Sequence, residues 1–357
     1  MKVALLNPAF WPEVRRGSER FARELADGLL DRGHEPRLIT SHPGRTARTV
    51  EHGLPIARHW RPPQARLRRR LYEPWLTHLP ATYLDLVRGD DDLAHPLYPS
   101  DGAAAARWKR RTGKPVVLSY MGLPHRAALA NRRLRIELTQ EAIAGADAVV
   151  ALSETARDWF ARWLGVEARV IAPGVDLAAF TPDPAARAAD PTILCAAASG
   201  EPRKRVALLV EAFALVRRAR PAARLLLSAP TGFSGPGIEA RDLDDTAALA
   251  AANREAWVAA LPSWGEAFGL VLVEALACGT PVVGSDREAI PEVVGGDDAI
   301  GRIFAGEDPR ALATALLEAL DLHTDAGTAA ACRARAERYS WDATADAYAA
   351  LYAEVAR

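Results

Sequence analysis

Leu261–Asp286 reads LPSWGEAFGLVLVEALACGTPVVGSD, and the fold follows from it. Trp257 to Leu261 predicts a strand that runs into the Pro262-Ser263 turn. Glu266 follows, then Phe268-Gly269. An apolar helix carries a second carboxylate, Glu274, until Cys278-Gly279-Thr280-Pro281 stops it. Val282-Val283 predicts the next strand. A strand, a Gly-containing loop, a helix and a strand make one unit of a parallel sheet covered by helices.

The two glutamates are separated in a way that limits their chemistry. If both were helical they would stand about 12 Å apart in height. That excludes a proton-sharing dyad and disfavours the ~5 Å pair of a retaining hydrolase. Glu266 in the loop and Glu274 in the helix suit the two ends of one polyhydroxylated ligand. Between them the helix mouth at Gly269, Leu270 and Val271 offers N–H groups and a positive dipole end to a diphosphate.

Working outward, the same α/β pattern recurs in both directions. Lys2 to Asn7, Arg37 to Thr40, Val116 to Ser119, Ala148 to Leu152 and Arg169 to Ala172 predict strands alternating with helices. Thr192 to Ala198 and Arg224 to Ala229 continue the pattern nearer the opening stretch. A chain of 357 residues is too long for one core. Two doubly wound parallel-sheet domains are therefore expected, 1–180 and 192–340. Pro- and Ala-rich Thr181 to Pro191 is read as their linker. Gly232 to Gly237 is a loop, and Trp341 to Val355 is an amphipathic final helix.

Composition removes several classes. Formal net charge is zero, so no global field favours nucleic acid. The Ala- and Arg-rich composition suits a GC-rich bacterial genome. Cys195, Cys278 and Cys332 form neither a metal spacing nor a disulfide framework, and are expected to be buried, reduced thiols of the cytoplasm. No His/Cys cluster has zinc spacing, and the acidic runs Asp90–Asp92 and Asp242–Asp245 are read as solvated turns or helix starts. No Gly-x-Gly-x-x-Gly follows the first strand, which disfavours a nicotinamide dehydrogenase. No metal or other cofactor is expected. No window is long and apolar enough to span a bilayer.

Other positions remain as candidates. Gly17 at a helix mouth admits a phosphate to backbone N–H groups. Arg203-Lys204-Arg205 follows a strand and can neutralise a departing diphosphate. Residues 58–76 interleave Arg58, Arg61, Arg66 and Arg68–Arg70 with Trp60, Leu67, Leu71, Tyr72 and Trp75. That suits either a solvated basic face or peripheral contact with an anionic membrane or acceptor.

Glu266 to Val283 resembles the E-x7-E signature of the retaining two-Rossmann-domain glycosyltransferases called family 4. Gly17 with Glu19, Arg32 to Glu35, Ala146 to Glu154, Pro173 to Asp176 with Phe180, and Ile290 to Val294 are similar to further landmarks. The likeness covers nearly the whole chain. It implies a GT-B fold, two Rossmann-like domains facing across a cleft, with acceptor on the N-terminal and nucleotide-sugar on the C-terminal domain. Residues 341–357 would cross back to the N-terminal domain.

By that resemblance the activity is metal-independent transfer, with retention, of a sugar, a hexose by expectation, from a nucleotide-diphosphate sugar to an acceptor hydroxyl. Glu266 would touch the donor sugar, Glu274 the ribose, and Lys204 the diphosphate. Gly17, Arg203, Arg205, Phe268, Gly269, Leu270 and Val271 would complete the donor site. His95, Met121, His125 and Gly174 stand on the acceptor side. The acceptor would be a glycan, a lipid-linked or a small molecule, reached at the inner membrane face if the 58–76 contact exists. Three departures are visible. Met121 stands where the family usually has His, Ala198 where it has Arg, and the segment from Leu227 to Leu243 is short. They leave open a sugar-nucleotide-binding scaffold on the same fold and, more remotely, a nucleotide-sugar epimerase.

Overall fold

The computed structural model describes residues 1–14 and 17–357. Its contacts divide the chain into two units, residues 1–172 with 341–357, and residues 173–340.

The first unit begins β1 (Lys2–Leu6), α1 (Gly17–Asp31), β2 (Glu35–His42), β3 (Ala47–Glu51), β4 (Leu54–Trp60), α2 (Ala65–Arg69) and α3 (Leu79–Arg88). It continues β5 (Leu93–Pro96), α4 (Pro99–Thr112), β6 (Val117–Ser119), α5 (Arg126–Ala130), α6 (Arg135–Gly145), β7 (Ala148–Ala151), α7 (Glu154–Leu164) and β8 (Arg169–Val170). The main sheet has the order β3-β4-β2-β1-β5, and β6-β7-β8 forms a second, joined at the bridge between Ala94 and Val116. Pairing is parallel except for β3 against β4. Phe21, Leu25 and Leu29, four residues apart on α1, are buried against Val3 and Leu5 of β1 in one core.

The β3–β4 hairpin was not expected. It turns at His52-Gly53, whose φ angles of 48° and 80° are those of a tight hairpin turn. The pairing brings Arg58 beside Glu51 at 2.7 Å and Thr49 at 2.8 Å. Arg61 is buried too, held by Glu13. The basic stretch read over 58–76 thus loses its first two arginines to the interior of this unit.

The second unit holds β9 (Thr192–Cys195), α8 (Val206–Ala219), β10 (Arg224–Ser228), β11 (Ile238–Arg241), α9 (Thr246–Glu255), β12 (Val258–Leu261) and α10 (Leu270–Ala277). Then come β13 (Val282–Ser285), α11 (Ile290–Val294), β14 (Gly301–Phe304), α12 (Pro309–Asp321) and α13 (Ala326–Ala336). Its sheet is fully parallel, ordered β11-β10-β9-β12-β13-β14. Helix starts carry the expected caps. Asp245 accepts from Ala248 N at 3.1 Å, and Asp308 accepts from Arg310 N at 2.9 Å.

Residues 181–191 are not a free linker; they lie within the second unit. Ala188 N donates to Glu255 O at 3.0 Å, Trp257 Nε1 donates to Ala188 O at 2.7 Å, and Arg187 Nη1 donates to Thr280 Oγ1 at 3.1 Å. Composition alone could not reveal these distant partners. Within the short segment from Leu227 to Leu243, β11 follows the 232–237 loop.

α14 (Trp341–Val355) completes the first unit, and its aromatic side chains explain why. Tyr348, Leu351 and Tyr352 are buried in the core that holds Phe21 and Leu25. Arg32 Nε donates to Asp346 at 2.6 Å on the outer side. His95, expected to face an acceptor, lies fully buried beneath this helix. Its Nδ1 is 2.6 Å from Tyr352 Oη and its Nε2 is 2.7 Å from Ser119 Oγ. It is a core group, because both ring nitrogens are already engaged away from solvent.

Burial penalises the imidazolium and holds His95 down to about 3. The unfolded imidazole titrates near ~6.5. Its contribution to stability is full above that value and is lost as pH falls towards the folded one, by up to ~1.4 kcal/mol per pH unit. Urea melts between pH 6.5 and 5 are expected to show a His95→Gln variant losing less stability per pH unit than the parent. Equal slopes refute a neutral buried His95.

Among the described residues no helix is long and apolar enough to cross a membrane.

Candidate donor and acceptor sites

In the second unit the strand order reverses between β9 and β12. Successive strands run outward from β9 to β11, then from β12 to β14. Loops leaving the carboxyl ends of two such strands diverge and leave room for a ligand. Here those loops carry Arg203-Lys204 after β9 and Glu266 after β12.

After β9 a short turn, Pro202–Lys204, is closed by Lys204 N donating to Glu201 O at 2.9 Å. Arg205 takes a left-handed conformation, φ 52°, and opens α8. The loop after β12 bends at Gly265, φ 70°, and at Gly269, φ 104°, immediately before α10. A side chain at Gly269 would be strained and would press on Ile290 at 3.0 Å.

The two loops meet through charge. Lys204 Nζ lies 2.5 Å from Glu266 Oε1, and Arg203 Nη1 lies 3.3 Å from the same oxygen. Arg203 Nη2 also pairs with Glu201 at 2.9 Å. Trp264 N donates to Arg203 O at 2.9 Å, tying the backbones together. A third loop, after β13, supports them. Gly265 N donates to Glu288 Oε2 at 2.9 Å, and Ser285 Oγ donates to Ser263 O at 2.6 Å. Glu288 and Ser285 were missed from sequence. The available signal was their place at the end of β13, in the run Ser285-Asp286-Arg287-Glu288.

Other candidates are placed differently. Leu270 and Val271 form the half-buried first turn of α10. Glu274, expected to meet a ribose, has no exposed surface and lies buried within α10. Phe268 does not line an open surface; it packs edge-on against Tyr339 at 5.1 Å. Arg205 donates to Gly306 O at 3.0 Å and lies over Phe304. Burial raises the thiols of Cys195 to about 11 and of Cys278 and Cys332 to about 12, so none is a nucleophile at neutral pH.

In the first unit Gly17 heads α1 with open space where a side chain would stand. Met121 is half-buried and packs on the core beneath α14. His125 caps α5, accepting from Ala128 N at 3.3 Å, with its ring edge-on to Trp159. Gly174 falls in the second unit, beside Val175, whose N donates to Tyr339 O at 2.7 Å; it is not on the N-terminal side.

A pocket of about 260 Å³ opens at the carboxyl ends of β1 and β2. Phe10 and Trp11, stacked at 5.5 Å, form one wall, and Thr40, His42 and Arg58 contribute polar groups. Thr40 Oγ1 is buried there and has no hydrogen-bond partner among the described residues.

Residues 15–179 match the family described as Glycosyltransferase Family 4, and residues 190–321 match Glycosyl transferases group 1. A D-inositol 3-phosphate glycosyltransferase of Saccharomonospora viridis is 32% identical over 302 residues, 74% of this chain and 70% of the relative. A phosphatidyl-myo-inositol mannosyltransferase of Mycolicibacterium smegmatis is 29% identical over 378 residues, 96% and 90% of the two chains. The solved sucrose-phosphate synthase of Thermosynechococcus elongatus has the same fold, with a TM-score of 0.82 at 22% identity over 99% of this chain and 98% of that one.

Proposed function

The chain belongs to the family 4, group 1 glycosyltransferases, enzymes here of the GT-B fold, and on that premise we propose the following reaction. A sugar passes from a nucleotide-diphosphate sugar to an acceptor hydroxyl, with retention and without a metal. The observation that carries this reading is the convergence of Lys204, Arg203 and Glu266 at the strand-order reversal of the second unit.

Lys204 is a fixed cation beside the mouth of α10. As the bond from the sugar's anomeric carbon to the diphosphate breaks, the leaving oxygen gains charge. Lys204 and the α10 N–H groups stabilise that charge. An arriving diphosphate displaces Glu266 from Lys204 and frees the carboxylate to accept hydrogen bonds from sugar hydroxyls. Glu266, still paired with Arg203 and taken up by the sugar hydroxyls, does not act as the nucleophile. The acceptor oxygen therefore attacks on the face the diphosphate leaves, and its proton goes to the departing phosphate oxygen.

On the acceptor side, the names of the relatives point to inositol-bearing molecules. A hydroxylated ring, stacked on an aromatic wall with a hydroxyl on Thr40, suits the pocket of the first unit.

A thermal-shift panel of sugar nucleotides tests the reading. One donor is expected to raise the melting temperature, by the equivalent of ~2.7 kcal/mol at a hundred times its Kd. Its transfer should persist in EDTA and give a product of unchanged anomeric configuration. The absence of both stabilisation and turnover across all sugar nucleotides refutes it.

A further inference from the structure

We propose that the first unit carries a docking surface for anionic lipid headgroups. It is formed by α2, the turn before α6, and the groove between α6 and α7. It keeps the α2 part of the 58–76 stretch read in the sequence, drops the buried Arg58 and Arg61, and extends to α6 and α7, resting on side chains that the transfer reaction does not use.

The parts are contiguous. Arg66 and Arg68–Arg70 are exposed on and after α2, and Leu71 beside them is 57% exposed. Arg133 N donates to Leu71 O at 2.7 Å, and Arg132 Nη1 to Arg68 O at 3.4 Å. Arg133 also lies over Tyr72 at 5.4 Å. The next residues are Leu134, exposed in a left-handed turn, and Ile136 in the first turn of α6. Ile136, Gln140 and Ile143 share a helix face and line a groove of about 340 Å³ with Trp163 and Leu164 of α7. Arg162 lies over Trp163 at 5.1 Å.

Two properties occur together here. A single exposed Leu is ordinary, but Leu71, Leu134, Ile136 and Trp163 are all exposed on one strip. The strip is also strongly cationic in a chain whose formal net charge is zero. Nearby carboxylates do not offset it. Glu73 is buried against Arg135 at 2.6 Å, and Glu141 is held by Arg107 and Arg110. Glu137 is an exposed counter-charge within it, and Asp158 and Glu167 are exposed on either side of Arg162–Leu164.

Phosphate-bearing partners of other kinds would use the arginines and leave the apolar side chains idle. A bilayer surface uses both. Guanidinium groups pair with headgroup phosphates, while Trp and aliphatic side chains enter the headgroup–acyl boundary.

Co-sedimentation of the full chain with phosphatidylcholine vesicles, with and without phosphatidylglycerol, tests this. Binding is expected only with phosphatidylglycerol, and it should weaken as salt rises. Trp163→Glu, and separately Arg69→Glu with Arg70→Glu, should each lower the bound fraction at least about fivefold. The charge-matched pair Arg310→Glu with Arg338→Glu, in the second unit, should bind as the parent does. All these side chains are exposed, and unchanged circular-dichroism melts will show that the fold is kept. Sedimentation without phosphatidylglycerol dependence, no sedimentation, or strip variants that bind normally each overturn the proposal. Capture of single-stranded RNA or an acidic protein through the same arginines, with vesicles ignored, overturns it also.

Discussion

Lys204→Ala is expected to lower the transfer rate by about 10²–10³-fold, the scale seen when one preorganised donor to a developing oxyanion is removed. The expectation rests on how this lysine is held. Its backbone is fixed by the turn to Glu201, and its ammonium stands 2.5 Å from Glu266, at the reversal of strand order. A cation already in place needs no reorganisation as the diphosphate leaves. Arg203 cannot take over fully: its guanidinium is shared with Glu201 and sits 3.3 Å from Glu266. In the variant Glu266 keeps Arg203 as a partner, so folding should survive. Initial rates at saturating donor, calorimetric donor affinity and a thermal melt separate the effects. The reading needs a large fall in kcat with a melt close to the parent. A variant keeping a third of the parent rate removes Lys204 from the reaction.

That expectation could be written from sequence because the stretch around Glu266 is locally determined. Gly265 and Gly269 sit where the chain needs left-handed turns, and the apolar run of α10 ends at a Gly-containing stop. Three other assignments failed for one shared reason. His95 is polar, yet it is buried by Tyr352, 257 residues away. Arg58 is basic, yet a hairpin turns it onto Glu51. The Pro- and Ala-rich run 181–191 lacks an apolar period, yet its arginine and its backbone are bonded by Glu255, Trp257 and Thr280. The partners of His95 and of 181–191 are remote in sequence, and Glu51, though near Arg58 in the chain, meets it only across a hairpin, so local composition is silent about all three. Lys204 and Glu266 are 62 residues apart as well. They were legible as a pair through family resemblance and strand-end logic, not through spacing. Glu288 had neither support and was missed.

The same long-range coupling makes α14 a place where a single substitution should cost much stability. Tyr348→Ala is expected to destabilise the first unit by about 3–5 kcal/mol, the range for deleting a large buried aromatic. Tyr348 has no exposed surface. Its ring meets Phe21 at 5.9 Å, His95 at 5.1 Å and Tyr352 at 6.0 Å, so α1, β5 and α14 itself all lose a packing partner. Its hydroxyl lies 2.8 Å from Ser119 Oγ at the end of β6. Tyr348→Phe isolates that last contact and should cost only about 0.5–1.5 kcal/mol, since Ser119 keeps His95. The gap between the two variants is then the packing contribution. A comparable loss in both would move the weight to the hydrogen bond. Urea denaturation followed by near-ultraviolet circular dichroism measures each value. If Tyr348→Ala unfolds within about 0.5 kcal/mol of the parent, the effect of an ordinary surface substitution, then α14 is not an integral part of the first core.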